Sequence, residues 1–499
     1  MQPIDVGDFE LDEKMNSRQS ALFHGVREKI IAGLWAKGGK LPSTRKFANE
    51  LRLSRNTVIL AYDQLVAEGY IRSVKGSGFY VSVELPEHYL TSNEKVGVVE
   101  VNLSTSLELN KAFAPGVPDL SLFPFTKWQR LLQRHSSREC LAGSGQIQGS
   151  LELRAGLSDY LSGSRSVVCN PERIIITSGA QQAMTIALLA ILQPKDTVMM
   201  EEPGYSQMRK VIKLLGLISE PLAVHEHVGP NIDQVLLSDA KALYVTPSNQ
   251  YPMGTTLNTD QRLKLIEWAH NNQRWIIEDD YDSEFQFAHR PYTSMQGLAG
   301  KLGQDDRIMY VGSFSKVMFN GLRLGYLVVP ESLVARCNEI KDALSGDSPS
   351  HTQSALADFI VEGSLLRHIR KMRRVYKQKY LTMTEAIQRE FKGKVEVISQ
   401  PAGLHVTIKW FDCPGESALC EQAKDIGIIL RPLHYYEGEK AKTGDGKHIS
   451  DDLLKGKRRE WNGAVLGFGN VKQTDIDPLI AKLSEVFFKH WVLNEQQGR

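Results

Sequence analysis

The run Ser313-Phe314-Ser315-Lys316, followed by Arg323 within Gly-Leu-Arg-Leu-Gly-Tyr at 321–326, carries the most information in this chain of 499 residues. A lysine amine can attack an aldehyde and form a Schiff base. Two serine hydroxyls and a guanidinium beside it are suited to hold a phosphate dianion through charge-assisted hydrogen bonds. The run therefore predicts a site for a phosphate-bearing aldehyde, a description that pyridoxal 5'-phosphate fits. Taken alone, it is also compatible with a surface Lys and Arg beside a small-residue turn.

The sequence around this run alternates between short apolar segments and helical segments. Strands are predicted over 173–177, 197–200, 242–246, 275–278, 308–311 and 326–329, with helices from Ala180 and near 260–271. Strands separated by helices indicate an α/β fold with a mainly parallel sheet covered on both faces. Ligands bind at the carboxyl ends of such strands.

Polar residues follow several of these strands. Ala180 and Gln181 open a helix whose N–H groups can bind a phosphate, and Tyr205 can stack on a flat ring. Asp279 can pair with a pyridinium N–H, and Tyr281 can bond the ring's phenolate oxygen. Individually these residues also fit an ordinary helix start, a buried tyrosine, and an N-capping aspartate beside a packed tyrosine.

The N-terminal part of the chain differs in charge from the rest. Residues 14–83 contain twelve Lys and Arg against four Asp and Glu, a net charge of +8. Because the whole chain carries only +2, the remainder is acidic. A basic block on an acidic body indicates a polyanionic partner for the first part, with a solvated charged face as the alternative.

The same N-terminal block has the pattern of a winged helix-turn-helix. Leu22, Val26, Ile30 and Leu34 form a helical stripe, and Ser43 and Ser54 are predicted N-caps of two further helices. The inward face of the third helix, from Arg55 to Glu68, is predicted at the following positions: Val58, Ala61, Tyr62 and Leu65. A β-hairpin follows over 70–83, with a glycine-rich tip at 75–78.

This pattern predicts contacts to double-stranded DNA. Side chains in the first turn of the third helix can reach base edges, and the start of the preceding helix and the wing tip can hold phosphates. The residues are Ser54, Arg55, Asn56 and Thr57 for the third helix, Ser43, Thr44 and Arg45 for the preceding helix, and Lys75 and Gly76 for the tip. A helical interaction module without a DNA role is the alternative.

Three phrases in this block resemble the GntR family of bacterial winged-helix regulators. They are Lys40-Leu41-Pro42-Ser43-Thr44-Arg45, Leu53-Ser54-Arg55-Asn56-Thr57-Val58, and Gly69-Tyr70-Ile71 with Gly76-Ser77-Gly78. The rest of the chain is similar to fold-type I aminotransferases in the order of its motifs, which also include Gly-Gln-Ile-Gln-Gly at 145–149 and Thr-Pro-Ser-Asn-Gln-Tyr-Pro-Met-Gly at 246–254. Together they resemble a MocR/GabR-type regulator.

That resemblance implies a winged-helix domain over 14–83, a linker over 84–112, and a pyridoxal-phosphate-binding domain over 113–499 with a small C-terminal α/β subdomain. It implies Lys316 as the Schiff-base lysine, Asp279 at the ring nitrogen, Tyr281 at the ring oxygen and Tyr205 as the stacking ring. It places these residues around the phosphate: Ala180, Gln181, Ser313, Ser315 and Arg323.

Two positions depart from working aminotransferases. Tyr251 stands where those enzymes usually place an asparagine that touches the ring oxygen. The segment 463–468 lacks the arginine that usually binds the substrate carboxylate. Arg431 and Arg209 are the candidate substitutes. Each also has an ordinary structural or solvated interpretation.

The combined prediction is a cytoplasmic bacterial transcription regulator, dimeric as its family relatives are. It would bind operator DNA and sense pyridoxal phosphate itself or an amino compound. One alternative is a working aminotransferase with an accessory DNA-binding head, so net turnover stays open. Another is a DNA-binding protein whose body is only a dimerisation scaffold. Five scattered cysteines indicate reduced thiols and no metal site, and neither a signal peptide nor a membrane span is predicted.

Overall fold

The computed structural model describes residues 4, 6, 9, 11, 17–83, 111–138, 145–288, 292–411, 414–438 and 459–497. The chain divides into two compact units, Met1–Val101 and Asn102–Arg499. Most of the linker predicted over 84–112 lies outside the described residues, and so does its segment 96–101, where the sequence is compatible with a short strand. The polar, charged segment 437–460, which the sequence predicts as a loop insertion with a basic patch at 455–459, also lies mostly outside them.

The described part of the first unit contains three helices and a hairpin. Its elements are α1 Arg18–Ile31, α2 Thr44–Glu50, α3 Arg55–Ala67, β1 Ile71–Val74 and β2 Gly78–Val81. The two strands are antiparallel, with Ile71 opposite Val81. Both predicted caps are confirmed, since the hydroxyls of Ser43 and Ser54 accept the N–H groups three residues on, at 3.2 and 3.1 Å.

The core of this unit follows the predicted inward face of α3 closely. All four predicted residues of that face are buried, and the Tyr62 hydroxyl donates to the Pro42 carbonyl at 3.0 Å. The prediction for Leu34 is wrong, because α1 ends at Ile31 and Leu34 is 66% exposed. Gly33 adopts a left-handed φ of +72°, which turns the chain and places Trp35 in the core instead.

An eight-stranded sheet forms the centre of the second unit. Its strands are β3 Ile174–Thr177, β4 Thr197–Glu202, β5 Ile218–His225, β6 Gly229–Pro230, β7 Ala242–Val245, β8 Trp275–Asp280, β9 Ile308–Ser313 and β10 Gly325–Val328. They lie in the order β3-β10-β9-β8-β7-β4-β5-β6. The five strands from β9 to β5 in this order pair in parallel, which confirms a mainly parallel sheet. In contrast, β10 is antiparallel to both of its neighbours.

Helices cover both faces of this sheet. They are α4 Phe125–Arg134, α5 Leu151–Arg165, α6 Ala180–Ile191, α7 Ser206–Leu214, α8 Ile232–Leu236, α9 Thr259–Asn271, α10 Met295–Leu302, α11 Val334–Ser345 and α12 Ser350–Val361. Ile175 packs in one apolar cluster with Ala183 of α6, whereas Ile174 and Ile176 join another with Leu153 of α5. The sheet is therefore buried on both sides, which explains the continuous apolar run in β3.

A smaller subdomain follows the large sheet. Its four strands, β11 Val395–Val397, β12 His405–Trp410, β13 Arg431–Pro432 and β14 Asn462–Gly467, lie in the order β11-β12-β14-β13 and pair antiparallel. The helices of this region are α13 Ser364–Phe391, α14 Glu416–Asp425 and α15 Gln473–Gln497. Among the described residues, no helix is long and apolar enough to cross a membrane.

Candidate functional site

Lys316 lies in the turn between β9 and β10, with its amine in a polar pocket of backbone and carboxylates. Its Nζ donates to the carbonyl of Gly116 at 2.6 Å. Gly116 has a left-handed φ of +75°, and a Cβ there would lie 2.6 Å from this Nζ, so a larger residue would displace the end of the lysine side chain. Burial lowers the pKa of Lys316, and the carboxylates of Asp282 and Asp279 act in the opposite direction. A lowered pKa leaves more of the amine neutral and nucleophilic.

Asp279, near the end of β8, has one carboxylate oxygen with a partner and one without. Oδ2 accepts the Tyr244 hydroxyl at 2.6 Å, whereas the buried Oδ1 has no hydrogen-bond partner among the described residues. Burial raises the pKa of Asp279 to about 7. Leaving a buried polar atom unpaired is costly, so a donor is expected at this oxygen. The pyridinium N–H of pyridoxal phosphate is such a donor, and the residues present fit that cofactor.

The carboxylates on either side of Asp279 are bonded elsewhere, Glu278 through both oxygens and Asp280 through one. Glu278 accepts the N–H groups of Met295 and Gln296 at 2.8 Å each. Asp280 is paired with Arg165 at 2.6 Å. Asp279 and Asp280 each keep one buried oxygen without a hydrogen-bond partner among the described residues, and of the two it is the Asp279 carboxylate whose charge acts on the pKa of Lys316.

Three of the residues predicted around a phosphate lie at the start of α6, where Ala180 and Gln181 open the helix and Arg323 approaches it. Gly179 has a φ of +112°, and none of the described side chains caps this helix through a hydrogen bond. The guanidinium of Arg323 lies beside Gly179, 3.7 Å from the point where a Cβ would stand. Ser313 Oγ donates to Ser315 Oγ at 2.9 Å. Uncapped N–H groups of Ala180 and Gln181, two hydroxyls and a guanidinium form a site suited to an anion.

The backbone conformation of Arg323 also indicates an anion-binding role for this residue. Its φ of +51° is left-handed, a region that costs a non-glycine residue energy. Such strain persists where the surrounding structure enforces it, often at binding sites. Here it places an exposed guanidinium at the head of α6.

The predicted ring contacts, Tyr205 and Tyr281, belong to one aromatic cluster. The ring centres of Tyr205 and Tyr281 lie 6.3 and 5.5 Å from that of Tyr251, in both cases edge-on. Burial raises the pKa of Tyr205 and Tyr281, so both hydroxyls stay neutral and can donate. Tyr251 is itself hydrogen-bonded to the Tyr436 hydroxyl at 2.8 Å.

Asn249 is a site residue that the sequence did not single out. Its buried amide donates to the Tyr281 hydroxyl at 3.2 Å and to Asp282 Oδ1 at 2.9 Å. Tyr244, the partner of Asp279, was likewise not predicted. Both lie in or just after β7, where the end of one strand meets the end of β8, but nothing local in the sequence specifies these pairings.

The two candidate effector arginines have different surroundings. Arg209 forms an ion pair with Glu202 at 2.9 Å and donates to the Tyr436 carbonyl at 3.0 Å, which ties α7 to the segment after β13. Arg431 lies in β13 over the Tyr435 ring, 5.1 Å from its centre. Burial raises the pKa of Tyr251 to about 12, against the opposing effects of the Tyr436 hydrogen bond and the Arg431 charge. Both arginines therefore lie beside the aromatic cluster, Arg209 at the Tyr436 carbonyl and Arg431 within reach of the Tyr251 hydroxyl by its charge.

In the first unit, the predicted DNA contacts lie mainly at the surface. Arg55 and Asn56 are exposed in the first turn of α3, and Lys75 and Gly76 are exposed at the tip of the hairpin. The hydroxyls of Ser54 and Thr57 bond to each other at 2.8 Å. At the start of α2, Thr44 is half-buried, whereas Ser43 and Arg45 are exposed.

Comparison with known proteins assigns one family to the N-terminal segment of the chain and another to the longer segment that follows. Residues 18–81 match bacterial regulatory proteins of the gntR family, and residues 114–438 match aminotransferase class I and II. The chain is 34% identical over 428 residues to the probable rhizopine catabolism regulatory protein MocR of Rhizobium meliloti, covering 83% of this chain and 85% of that protein.

The chain belongs to the MocR/GabR family of transcriptional regulators. A second MocR-type relative is the HTH-type pyridoxine biosynthesis transcriptional regulator PdxR of Corynebacterium glutamicum, 29% identical over 468 residues and covering 92% of this chain and 94% of that protein. Both of these relatives are named as regulatory proteins, which favours a regulatory function for this chain over the enzyme alternative.

The fold of the second unit is that of pyridoxal-phosphate-dependent aminotransferases. LysN, the alpha-aminoadipate aminotransferase of Thermus thermophilus complexed with N-(5'-phosphopyridoxyl)-L-leucine, matches with a TM-score of 0.67 and 23% identity, covering 78% of this MocR-type chain and 94% of LysN. At this identity the likeness establishes the fold alone.

Proposed function

We propose that this MocR-type regulator is a cytoplasmic homodimer that binds pyridoxal phosphate. Its affinity for operator DNA would change in response to a small molecule. Its DNA-binding domain would extend over 14–83, its linker over 84–112 and its effector domain over 113–499. The observation that carries the proposal is the unpartnered Oδ1 of Asp279, on a carboxylate close enough to Lys316 for the charge of each group to shift the pKa of the other. A donor from a bound ligand would satisfy that oxygen.

Each end of the cofactor has residues suited to it. Pyridoxal phosphate, when bound, supplies an electrophilic carbon for amines and an electron-withdrawing ring. Lys316 offers the amine of lowered pKa, and Asp279 would keep the ring nitrogen protonated. Tyr205 and Tyr281 would contact the ring and its oxygen. The phosphate would be held by the N–H groups of Ala180 and Gln181 and by Ser313, Ser315 and Arg323.

The effector belongs to one of two classes. It is either pyridoxal phosphate itself or an amino compound that reacts at the same carbon. The name of the PdxR relative, a pyridoxine biosynthesis regulator, supports the first class. That of the MocR relative, a rhizopine catabolism regulator, supports the second. For an amino compound with an acidic group, Arg431 is the candidate partner, because its charge acts on the Tyr251 hydroxyl within the aromatic cluster.

For effector binding to change DNA binding, the effector domain must have two conformational states. An effector shifts an equilibrium only by its difference in affinity for the two states. In a two-fold dimer, two winged helices would read paired half-sites. The exposed Arg55 and Asn56 would contact bases, and the exposed Ser43, Arg45 and Lys75 would contact phosphates. Thr44, Ser54, Thr57 and Gly76 complete the proposed DNA surface.

A gel-shift titration with DNA from upstream of its own gene tests this proposal. The operator affinity of the wild-type protein should change when pyridoxal phosphate, alone or with members of an amine panel, is added. Lys316→Ala should bind the same DNA without that response, and Lys301→Ala, an exposed lysine on α10, should respond like wild type. A wild-type response that persists in Lys316→Ala would contradict the proposal. Steady formation of keto acid at metabolic rates would favour the aminotransferase alternative.

A further inference from the structure

Tyr281 can serve a ring oxygen only if its single hydroxyl hydrogen points toward that oxygen. A phenolic hydroxyl donates one hydrogen bond and accepts others, so its direction depends on what its neighbours offer. In this chain the neighbour is Asn249, whose Nδ2 lies 3.2 Å from the Tyr281 hydroxyl. Because the amide nitrogen can only donate, Tyr281 accepts there and keeps its own hydrogen for another partner.

The orientation of the Asn249 amide is fixed by a second contact. The same Nδ2 donates to Asp282 Oδ1 at 2.9 Å. Burial raises the pKa of Asp282 to about 7, and above that pH the ionised carboxylate accepts only, so the NH2 side of the amide faces Asp282 and both of its hydrogens are used. Asn249 is 4% exposed and Asp282 is 2% exposed, so water does not compete for these bonds.

A glycine closes the pocket over this pair. Gly403 has a φ of +70°, and a Cβ there would lie 2.3 Å from Asp282 Oδ2 and 2.7 Å from Asn249 Nδ2. The chain just before β12 therefore packs directly on both side chains. This close packing holds the amide in place and leaves it no room to rotate away from Tyr281.

Tyr251 does not perform this role. Its hydroxyl is engaged with Tyr436 at 2.8 Å, and it presents a ring edge-on to Tyr281 rather than a donor. We propose that Asn249 is a positioning residue that holds the Tyr281 hydroxyl as a donor toward the oxygen of the bound cofactor ring. The proposal rests on the proposed function, since it concerns the same cofactor.

A spectroscopic titration tests the role of Asn249. The visible absorbance of the loaded protein is followed against pH in wild type, Asn249→Ala, Asn249→Asp and Tyr281→Phe. A hydrogen bond donated to the ring oxygen stabilises the negative charge of that oxygen. It therefore weakens the binding of a proton to the cofactor and lowers the midpoint of the absorbance change. Losing that donor should raise the midpoint of the absorbance change by about 0.5–1 pH unit in all three variants.

Asn249→Asp distinguishes hydrogen-bond direction from packing. The new carboxyl has nearly the same size as the amide, shares one proton with Asp282 at 2.9 Å, and presents an accepting oxygen to Tyr281 where the amide presented a donor. It should turn the Tyr281 hydrogen away from the ring and shift the midpoint even if Asn249→Ala fails to fold. The double variant Asn249→Ala with Tyr281→Phe should match Tyr281→Phe alone, because Asn249 acts through that hydroxyl. Asn338→Ala, which removes a half-buried amide bonded to Gln148, is the control expected to leave the midpoint unchanged.

The outcomes separate this inference from the proposed function. A coloured protein whose midpoint moves in Tyr281→Phe but stays at the wild-type value in both Asn249 variants would overturn the role of Asn249 alone. Additive shifts in the double variant would do the same. A colourless wild-type protein would overturn the cofactor assignment and this inference with it.

Discussion

Tyr244 donates its phenolic hydrogen to Oδ2 of Asp279 at 2.6 Å, from β7 to the neighbouring strand β8. This bond fixes the carboxylate and satisfies one of its two oxygens, while Oδ1 stays unpaired among the described residues. A buried acid held in this way is prepared for one further donor. The pair Tyr244–Asp279 therefore defines the ring-nitrogen end of the proposed cofactor site.

Removing the Tyr244 hydroxyl should weaken cofactor binding without emptying the core. Tyr244→Phe keeps the ring and leaves Asp279 without its fixed partner. A hydrogen bond to a charged group contributes enough that we expect about 10- to 100-fold weaker binding of pyridoxal phosphate, measured by absorbance or fluorescence titration. Tyr160→Phe is the matched control, since the Tyr160 hydroxyl bonds Glu284 at 3.0 Å in a similar pair. Equal losses in the two variants would argue against a specific role for Tyr244.

The stability of the cofactor-free protein should depend on pH through its buried acids. Burial raises the pKa values of Glu201, Glu278, Asp279 and Asp282 to about 7. The folded state then binds more protons than the unfolded state between pH of about 4 and 7, so stability should fall as pH rises through this window. Scanning calorimetry of the cofactor-free protein from pH 5 to 8 measures the slope.

One variant assigns part of that slope to the site. Asp279→Asn removes one of these four acids with a raised pKa. The free energy of unfolding should therefore fall less steeply with pH, by at most about 1.4 kcal/mol per pH unit. If the curves of wild type and Asp279→Asn run parallel from pH 5 to 8, the carboxyl is not titrating as the structure indicates.

Arg55 should contribute to operator choice. It is exposed in the first turn of α3, where a guanidinium can reach base edges. Arg55→Ala should cost about 1–3 kcal/mol of operator affinity and relax discrimination against base changes. Arg18→Ala removes an exposed arginine from α1 and serves as the charge-matched control. Operator affinity unchanged by Arg55→Ala in a titration at fixed salt would refute this contact.

Local patterns predicted the elements of this fold well. The caps at Ser43 and Ser54 and the apolar face of α3 depend on neighbours within a few residues, and all of them form. Leu34 fits the helical spacing equally well but is exposed, because Gly33 ends the stripe early. Periodicity alone does not distinguish a helix that continues from one that a left-handed glycine stops.

The site could be predicted only in part, because some of its contacts join distant segments. Lys316 and Asp279 are identified by chemistry and by their places after strands. Their partners are not: Gly116 precedes Lys316 by 200 positions, and Tyr244 reaches Asp279 only because β7 pairs with β8. The role of Asn249 emerges only when the chain around Gly403 packs over it.

The most direct measurement of the central claim is the mass of the peptide that contains Lys316 after the purified protein is loaded with pyridoxal phosphate and reduced with borohydride. The account predicts one added cofactor mass at Lys316, and no such adduct in the body of Lys316→Ala. An unmodified Lys316 in a folded, cofactor-treated protein would contradict it.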